Sequence, residues 1–201
     1  MAHSTKPVPR IAIKSIAFGI LLMGIFTTIW LGIASSALKG IYYLLCLGVL
    51  LAVLVSFVVY AIRLLLKSKK FPQTKPEEKA KGARMQIWYG VIFGLEGLLI
   101  GATCGILGAK GLDNYIVPSI ALIVGLHFYP MVVVFQRKFD YLTGTWTVAI
   151  AITTIFLEAK ENISIPQAFL MVGLGTAIAT ISYGIFMMSE AEKYKARING
   201  G

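Results

Sequence analysis

Two ionisable residues, Glu96 and His127, lie within stretches of sequence that are otherwise almost free of charge. Glu96 follows Arg84 by 12 residues, and His127 precedes Arg137 by 10. At a helical rise of ~1.5 Å per residue, both side chains lie roughly 15–18 Å from the nearest basic boundary, close to the middle of a bilayer. Ionisable groups at this depth usually face a bundle interior or a water-filled cavity. We therefore predict that Glu96 and His127 form a binding or proton site.

If the two side chains meet, the carboxyl and imidazole groups can share a proton and form a site that responds to pH. The alternative is that a protonated Glu96 donates to a backbone carbonyl and only fastens two helices together. Pro130 favours a cavity, because its ring leaves the carbonyl of Leu126 without a helical hydrogen bond beside His127. The further side chains predicted to line this cavity or support it are Tyr129, Pro130, Arg137, Tyr141, Trp146 and Tyr183.

Several kinds of catalytic site are excluded by the sequence. One Glu and one intramembrane His are too few for a zinc site, which needs three or four protein ligands. The sequence has no Gly-x-Ser-x-Gly elbow, no phosphate-binding loop and no His-Glu-x-x-His motif. We therefore predict neither a metal site nor a bound cofactor.

The composition predicts the class of protein that positions this pair. Of the 201 residues, 57% are hydrophobic and 14% are charged, whereas a soluble domain is about a quarter charged. Stretches of ~20 apolar residues are long enough to cross the hydrocarbon. The prediction is an all-α, polytopic integral membrane protein whose domain, 15–189, has six transmembrane helices. The predicted spans are 15–38, 40–62, 85–109, 114–136, 141–157 and 162–189.

The distribution of basic residues predicts the orientation. An N-terminal segment (1–14), a long loop (63–84), the turn after the fourth span and a tail (190–201) together carry sixteen Lys and Arg residues, and the other three connections carry three. Because Lys and Arg accumulate on the cytoplasmic side, we expect a protein of the plasma (inner) membrane with both termini cytoplasmic. Topology also explains the net charge of +10 without nucleic acid as a partner. The basic loop, Arg63 to Arg84, either lies on the anionic lipids of the inner leaflet or is solvated and only fixes the topology.

Two patterns concern helix packing. A lysine lies 20 residues after a position near the start of the first, third and fifth predicted spans. The pairs are Gly19 and Lys39, Gly90 and Lys110, and Asp140 and Lys160. This spacing is compatible with three helical hairpin repeats, although helices that cross one bilayer also share similar lengths. Small residues in the third span recur every three or four positions and predict a central helix with close neighbours, or else a homo-oligomer formed through the same face. These residues are Gly90, Gly94, Gly97, Gly101, Gly105 and Gly108.

One run of sequence resembles a known group of proteins. The segment Gly-Leu-His-Phe-Tyr-Pro (125–130) is followed by Arg137 and by Tyr-Leu-Thr-Gly (141–144). It is similar to a group of small, uncharacterised bacterial multi-span membrane proteins with a Gly-x-His-Phe-x-Pro segment, an arginine and a Tyr-x-x-Gly turn. The resemblance covers only the fourth and fifth spans. It implies no activity, but it does imply that His127, Arg137 and Tyr141 belong to one linked site.

Together these patterns predict a membrane protein with an intramembrane polar cavity. The leading hypothesis is transport or binding of a small molecule, linked to proton binding at Glu96 and His127. One alternative is a membrane-embedded enzyme that acts on a lipid or apolar substrate with the pair as acid and base. The other is a non-catalytic membrane subunit.

Overall fold

A computed structural model describes residues 10–199, and it is helical with no strand in this range. The helices are α1 (Arg10–Ser36), α2 (Gly40–Lys67), α3 (Pro76–Ala109), α4 (Ile116–Phe135), α5 (Lys138–Ala159) and α6 (Ile165–Asn199), with 3-10 turns at Ser68–Lys70 and Asp113–Tyr115. Within the described range, six helices are long and apolar enough to cross a membrane. This confirms the predicted all-α, polytopic class. Residues 1–9 of the predicted N-terminal segment and residues 200–201 of the tail lie outside the described residues.

The helices extend past the apolar spans into the basic segments. α2 continues to Lys67 and α3 begins at Pro76, so most of the segment predicted as a loop, 63–84, is helical. Lys, Arg and Glu are good helix formers, and a helix therefore need not end where the charges begin. Pro76 occupies the first turn of α3, where its missing amide proton costs nothing. The Glu78 carboxylate accepts a hydrogen bond from the Lys75 amide at 3.0 Å and caps the helix.

The α2–α3 connection lies at the end of the bundle where α1 begins. The Arg10 amide donates to the Pro72 carbonyl at 3.1 Å, and the Ile11 amide donates to the Thr74 hydroxyl at 3.2 Å. These bonds satisfy two of the amides that the first turn of a helix leaves without partners. We call this end of the bundle, which holds the start of α1, residues 68–75 and the end of α6, the basic end.

The helices pack in an open order rather than as three equivalent hairpins. α1 packs along both α2 and α6, and α5 packs along α4 and α6. α3 packs extensively only on α4, and α2 and α3 are not close neighbours. A three-hairpin repeat around an axis would require an α2–α3 interface like those of α4–α5 and α6–α1. The repeat suggested by the lysine spacing is therefore not seen in the packing.

Glycines mark the close contacts, but not those predicted in α3. A Cβ added at Gly173 of α6 would lie 2.6 Å from the Ala34 amide nitrogen of α1, and one added at Gly144 would lie 3.0 Å from the Gly125 carbonyl oxygen. In α3, by contrast, a Cβ added at any of the five glycines from 90 to 105 would meet nothing within 4 Å. The predicted central position of the third span is wrong. Small residues permit close approach, but they do not dictate which helix face is covered. A homo-oligomer through this face stays a prediction.

Orientation in the membrane is testable with single cysteines. Lys75 lies at the basic end and Asp113 at the opposite end. In a background without Cys46 and Cys104, we expect a membrane-impermeant maleimide to label Asp113→Cys in intact cells, because basic segments stay in the cytoplasm. Lys75→Cys should be labelled only after permeabilisation. Labelling of Lys75→Cys in intact cells would show that the orientation is reversed.

Candidate functional site

α3 buries only two of its described side chains, Ile92 and Glu96. They lie one helical turn apart, where α3 packs on α4. A carboxyl group removed from water costs free energy unless it is paired or hydrogen-bonded. An otherwise peripheral helix thus places its one intramembrane acid in the interface that it shares with α4.

Glu96 and His127 meet across this interface. His127 Nδ1 lies 3.5 Å from Glu96 Oε1, and only 7% and 6% of the two side chains are exposed. Glu96 Oε2 has no hydrogen-bond partner among the described residues. A buried polar atom without a partner costs roughly 1–3 kcal/mol. The pair therefore retains hydrogen-bonding capacity that a further polar group could use.

Two phenylalanines fix the orientation of the imidazole. The His127 ring stacks on Phe128, with centroids 4.3 Å apart and an angle of 28° between planes. The ring of Phe93, from α3, meets it edge-on at 5.7 Å. Tyr89 packs against Phe93 at 4.9 Å and extends this aromatic row. Such contacts restrict the side-chain torsions of His127 and hold its ring beside the carboxyl group.

A groove of about 840 Å³ runs between α3 and α4 over this pair. Small-molecule sites commonly measure roughly 300–1,000 Å³ and are mostly apolar with a few polar groups. The groove is of this kind, since its ionisable residues are Glu96, His127 and, at the basic end, Arg84. The full lining is Arg84, Met85, Trp88, Val91, Ile92, Leu95, Glu96, Leu99, Ile123, Leu126, His127, Pro130, Val133 and Val134.

The groove opens on the outer surface of the bundle. Trp88, Leu126 and Val133 line it, and they are 52%, 49% and 76% exposed. α3 and α4 are long and apolar enough to cross a membrane, and in a bilayer a surface of this kind would lie against lipid chains. Pro130 also lines the groove, and it lacks the amide that would otherwise bond the Leu126 carbonyl. The polar pair is thus reached from the side of the bundle.

Three of the predicted cavity residues lie elsewhere. The Tyr129 hydroxyl is 3.1 Å from the Thr145 hydroxyl, and the Tyr129 and Tyr141 rings pack edge-on at 5.8 Å. Trp146 Nε1 donates to the Gly175 carbonyl at 2.8 Å and ties α5 to α6. These side chains support helix packing outside the groove. Of the predicted cavity residues, Pro130 lines the groove with Glu96 and His127.

Arg137 and Tyr183 belong to a separate buried cluster that also includes Asp140. Asp140 is completely buried and accepts a hydrogen bond from the Tyr183 hydroxyl at 2.5 Å. Arg137 donates to the same hydroxyl at 3.4 Å. Of the linked site of His127, Arg137 and Tyr141 implied by the resemblance, Arg137 bonds Tyr183, Tyr141 packs on Tyr129 and His127 pairs with Glu96. That these three residues share one site stays a prediction.

Asp140 lies just outside the predicted fifth span, 141–157, and its burial was not predicted. In the structure only Gln136 and Arg137 separate α4 from α5. Asp140 therefore falls in the first turn of α5, where the free amides of a helix stabilise a negative charge. Glu158, near the other end of α5, also lies just outside the predicted span. It is buried, and neither carboxylate oxygen has a hydrogen-bond partner among the described residues.

The arrangement at Glu96 and His127 suits proton exchange and hydrogen bonding to a polar group on a mostly apolar guest. No group of three or more His, Cys, Asp or Glu side chains within the described range is placed to hold a metal ion. The ionisable residues that line the groove within the described range are Arg84, Glu96 and His127. The chain matches no protein-family model, no curated protein and no solved structure.

Proposed function

We propose that this membrane protein binds a lipid-soluble small molecule, which enters the α3–α4 groove from the bilayer and is held by Glu96 and His127. The observation that supports this most directly is Glu96 Oε2, which has no partner among the described residues although it belongs to a buried pair in a groove on the outside of the bundle. A hydroxyl group on the guest would donate to this carboxylate oxygen. Such a bond would remove the cost of leaving it unpaired.

The length of the groove favours a long, narrow guest. Its lining on α3 runs from Arg84 to Leu99, which is about 22 Å of helix at ~1.5 Å per residue. Nearly all of that length is apolar, with the Glu96–His127 pair part-way along and Arg84 at the basic end. An amphiphile with one hydrogen-bonding group on a hydrocarbon body matches this distribution.

The groove lies along the outside of the bundle, so its exchange is with lipid. We therefore propose binding from within the membrane rather than passage from one aqueous side to the other. A guest that hydrogen-bonds to the pair favours one of its protonation states, and binding is then linked to proton uptake or release. In this geometry, proton-linked function means that the guest binds together with the uptake or release of a proton by Glu96 and His127.

An enzyme that acts on a lipid is the second candidate. The 3.5 Å separation of His127 Nδ1 and Glu96 Oε1 would let the pair relay a proton to and from a bound lipid, as a general acid and base do. Conversion of lipids added to the purified protein would distinguish an enzyme from a protein that only binds them.

Photolabelling tests the groove. A long-chain alcohol that carries a diazirine, reconstituted with the full chain, should attach mainly to α3 and α4 residues of the groove, such as Leu126 and Val133. Leu95→Trp should reduce this labelling several-fold, because Leu95 lines the groove and an indole would fill it. Peptide mapping by mass spectrometry gives the distribution of adducts.

Leu98→Trp is the matched control. Leu98 lies on the same helix and is 68% exposed, but it is not part of the groove. Its substitution should leave the labelling of α4 unchanged. If the label spreads evenly over the lipid-facing helices, or if both tryptophan variants behave alike, the groove is not a binding site.

A further inference from the structure

A second cleft, unrelated to the Glu96–His127 groove, lies at the basic end between α2 and α6. It measures about 590 Å³. Its lining is Tyr60, Arg63 and Lys67 from α2, with Glu192, Lys195 and Ala196 from α6. The cleft exists because α2 and α6 both pack on α1 while their backbones stay apart, with side chains such as Phe57 and Tyr60 between them. Three cations and one carboxylate face it.

The carboxylate in this cleft is already engaged. Glu192 Oε1 accepts from the Tyr60 hydroxyl at 2.6 Å and from Lys195 Nζ at 2.7 Å. Lys195 also lies over the Tyr60 ring, 4.6 Å from its centroid. These bonds hold Lys195 in place. Lys67 also attracts the Glu192 carboxylate, but one carboxylate faces three cations, so the cleft keeps a net positive charge.

Arg63 and Lys67 supply the free charge. They lie four residues apart, on one face of α2, and both are exposed and line the cleft. A guanidinium beside an ammonium recognises phosphate oxygens, because Arg donates two parallel hydrogen bonds and Lys adds a point charge. The cleft is therefore suited to an anionic phosphate group.

The helix faces next to the cleft indicate where that phosphate comes from. Ser56, Val49 and Leu45 continue the Arg63–Lys67 face of α2 toward the middle of the bundle, and all three are exposed. On α6, Ile185 continues the face of Glu192 and is 56% exposed. Apolar faces of this kind suit acyl chains, and basic pockets between transmembrane helices bind lipid headgroups.

We propose that the cleft between α2 and α6 is a binding site for the headgroup of an anionic phospholipid, with its phosphate on Arg63 and Lys67. The acyl chains lie along the exposed faces of α2 and α6. The site selects a lipid with net negative charge over a zwitterionic one, because a choline group would bring a further cation beside Arg63 and Lys67. It thereby anchors the ends of α2 and α6 at the level of the headgroups.

Native mass spectrometry of the delipidated full chain tests the proposal. The probes are dioctanoyl phosphatidylglycerol and dioctanoyl phosphatidylcholine at equal concentration. We expect retention of phosphatidylglycerol over phosphatidylcholine. Arg63→Gln combined with Lys67→Gln should weaken phosphatidylglycerol binding by roughly 10- to 30-fold, since each cation near an anionic lipid contributes about a fivefold effect.

The matched control is Lys69→Gln combined with Lys70→Gln, which removes the same charge from residues just outside the cleft. Its phosphatidylglycerol affinity should stay within about threefold of the wild type, because surface charges act weakly at a distance. Equal losses in both double variants, or equal retention of both lipids, would overturn the proposal. Displacement of the lipid by millimolar inorganic phosphate would also overturn it, since the site would then take free phosphate. Thermal melting confirms that each variant is folded.

Discussion

Replacing Tyr183 with phenylalanine is expected to lower the free energy of unfolding by about 2–3 kcal/mol, because it leaves a buried carboxyl group without its donor. The Tyr183 hydroxyl makes the hydrogen bond to Asp140 Oδ1, and Asp140 Oδ2 has no partner among the described residues. Arg137 bonds the same hydroxyl, so the substitution also removes its link to the cluster. For a chain of this length, the loss corresponds to a melting temperature lower by roughly 5–10 °C.

A double-mutant cycle separates this bond from simple loss of packing. Asp140→Asn removes the charge, so Tyr183→Phe should cost less in the Asp140→Asn background than in the wild type. Tyr141→Phe is the control, since Tyr141 is half-exposed and its hydroxyl makes no hydrogen bond to the described residues. It should change the free energy of unfolding by less than about 0.5 kcal/mol. Equal effects of the two Tyr→Phe changes would contradict a special role for the Asp140 cluster.

The helices and the depth of the polar pair could be predicted because both follow from the bilayer. Length and hydropathy set the six spans, and the distances from Arg84 to Glu96 and from His127 to Arg137 place two side chains at one level. A tight turn between their helices makes them neighbours. The observed approach of Glu96 to His127, at 3.5 Å, agrees with this reasoning. Its functional role stays a prediction.

The faces that the helices turn toward each other could not be predicted. In a soluble protein, the apolar stripe of a helix marks its buried side. In a membrane, lipid-facing and protein-facing surfaces are both apolar, so the pattern of apolar residues does not show which face of a helix is buried. For this reason the glycines of α3 were assigned to a central interface, whereas Gly173 and Gly144 lie in close helix contacts. The opening of the groove to the side of the bundle could not be predicted either, because it depends on which helix faces are covered by other helices.

A proton shared by Glu96 and His127 is expected to make thermal stability depend on pH in both directions. The pair carries no net charge while it holds one proton between the carboxyl and imidazole groups. A second proton leaves a buried positive charge, and loss of the last proton leaves a buried negative one. An uncompensated buried charge costs about 3–5 kcal/mol, so the melting temperature of the wild type should fall by roughly 10 °C on each side of its maximum.

Single variants divide this profile into its two halves. Glu96→Gln keeps the size and hydrogen bonding of the side chain, but only the imidazole can then gain charge. Its melting temperature should therefore fall only toward acid pH, where the folded state must hold a charge that the unfolded state solvates. His127→Ala should fall only toward alkaline pH, where Glu96 loses its proton. Melting in detergent from about pH 5 to pH 9 measures all three proteins, since unperturbed carboxyl and imidazole groups titrate near the lower end of this range.

Asp140 and Glu158 are also buried, and their titration changes the melting temperature of the wild type and of each variant by the same amount. The deciding quantity is therefore the difference between each variant and the wild type at the same pH. Glu96→Leu adds a further comparison, because an apolar residue in place of a buried polar one is often neutral or stabilising. If Glu96 only fastens two helices, Glu96→Gln and the wild type should share one pH profile. A profile of that kind would mean that the carboxyl group does not titrate in this range, and proton-linked binding in the groove would then be wrong.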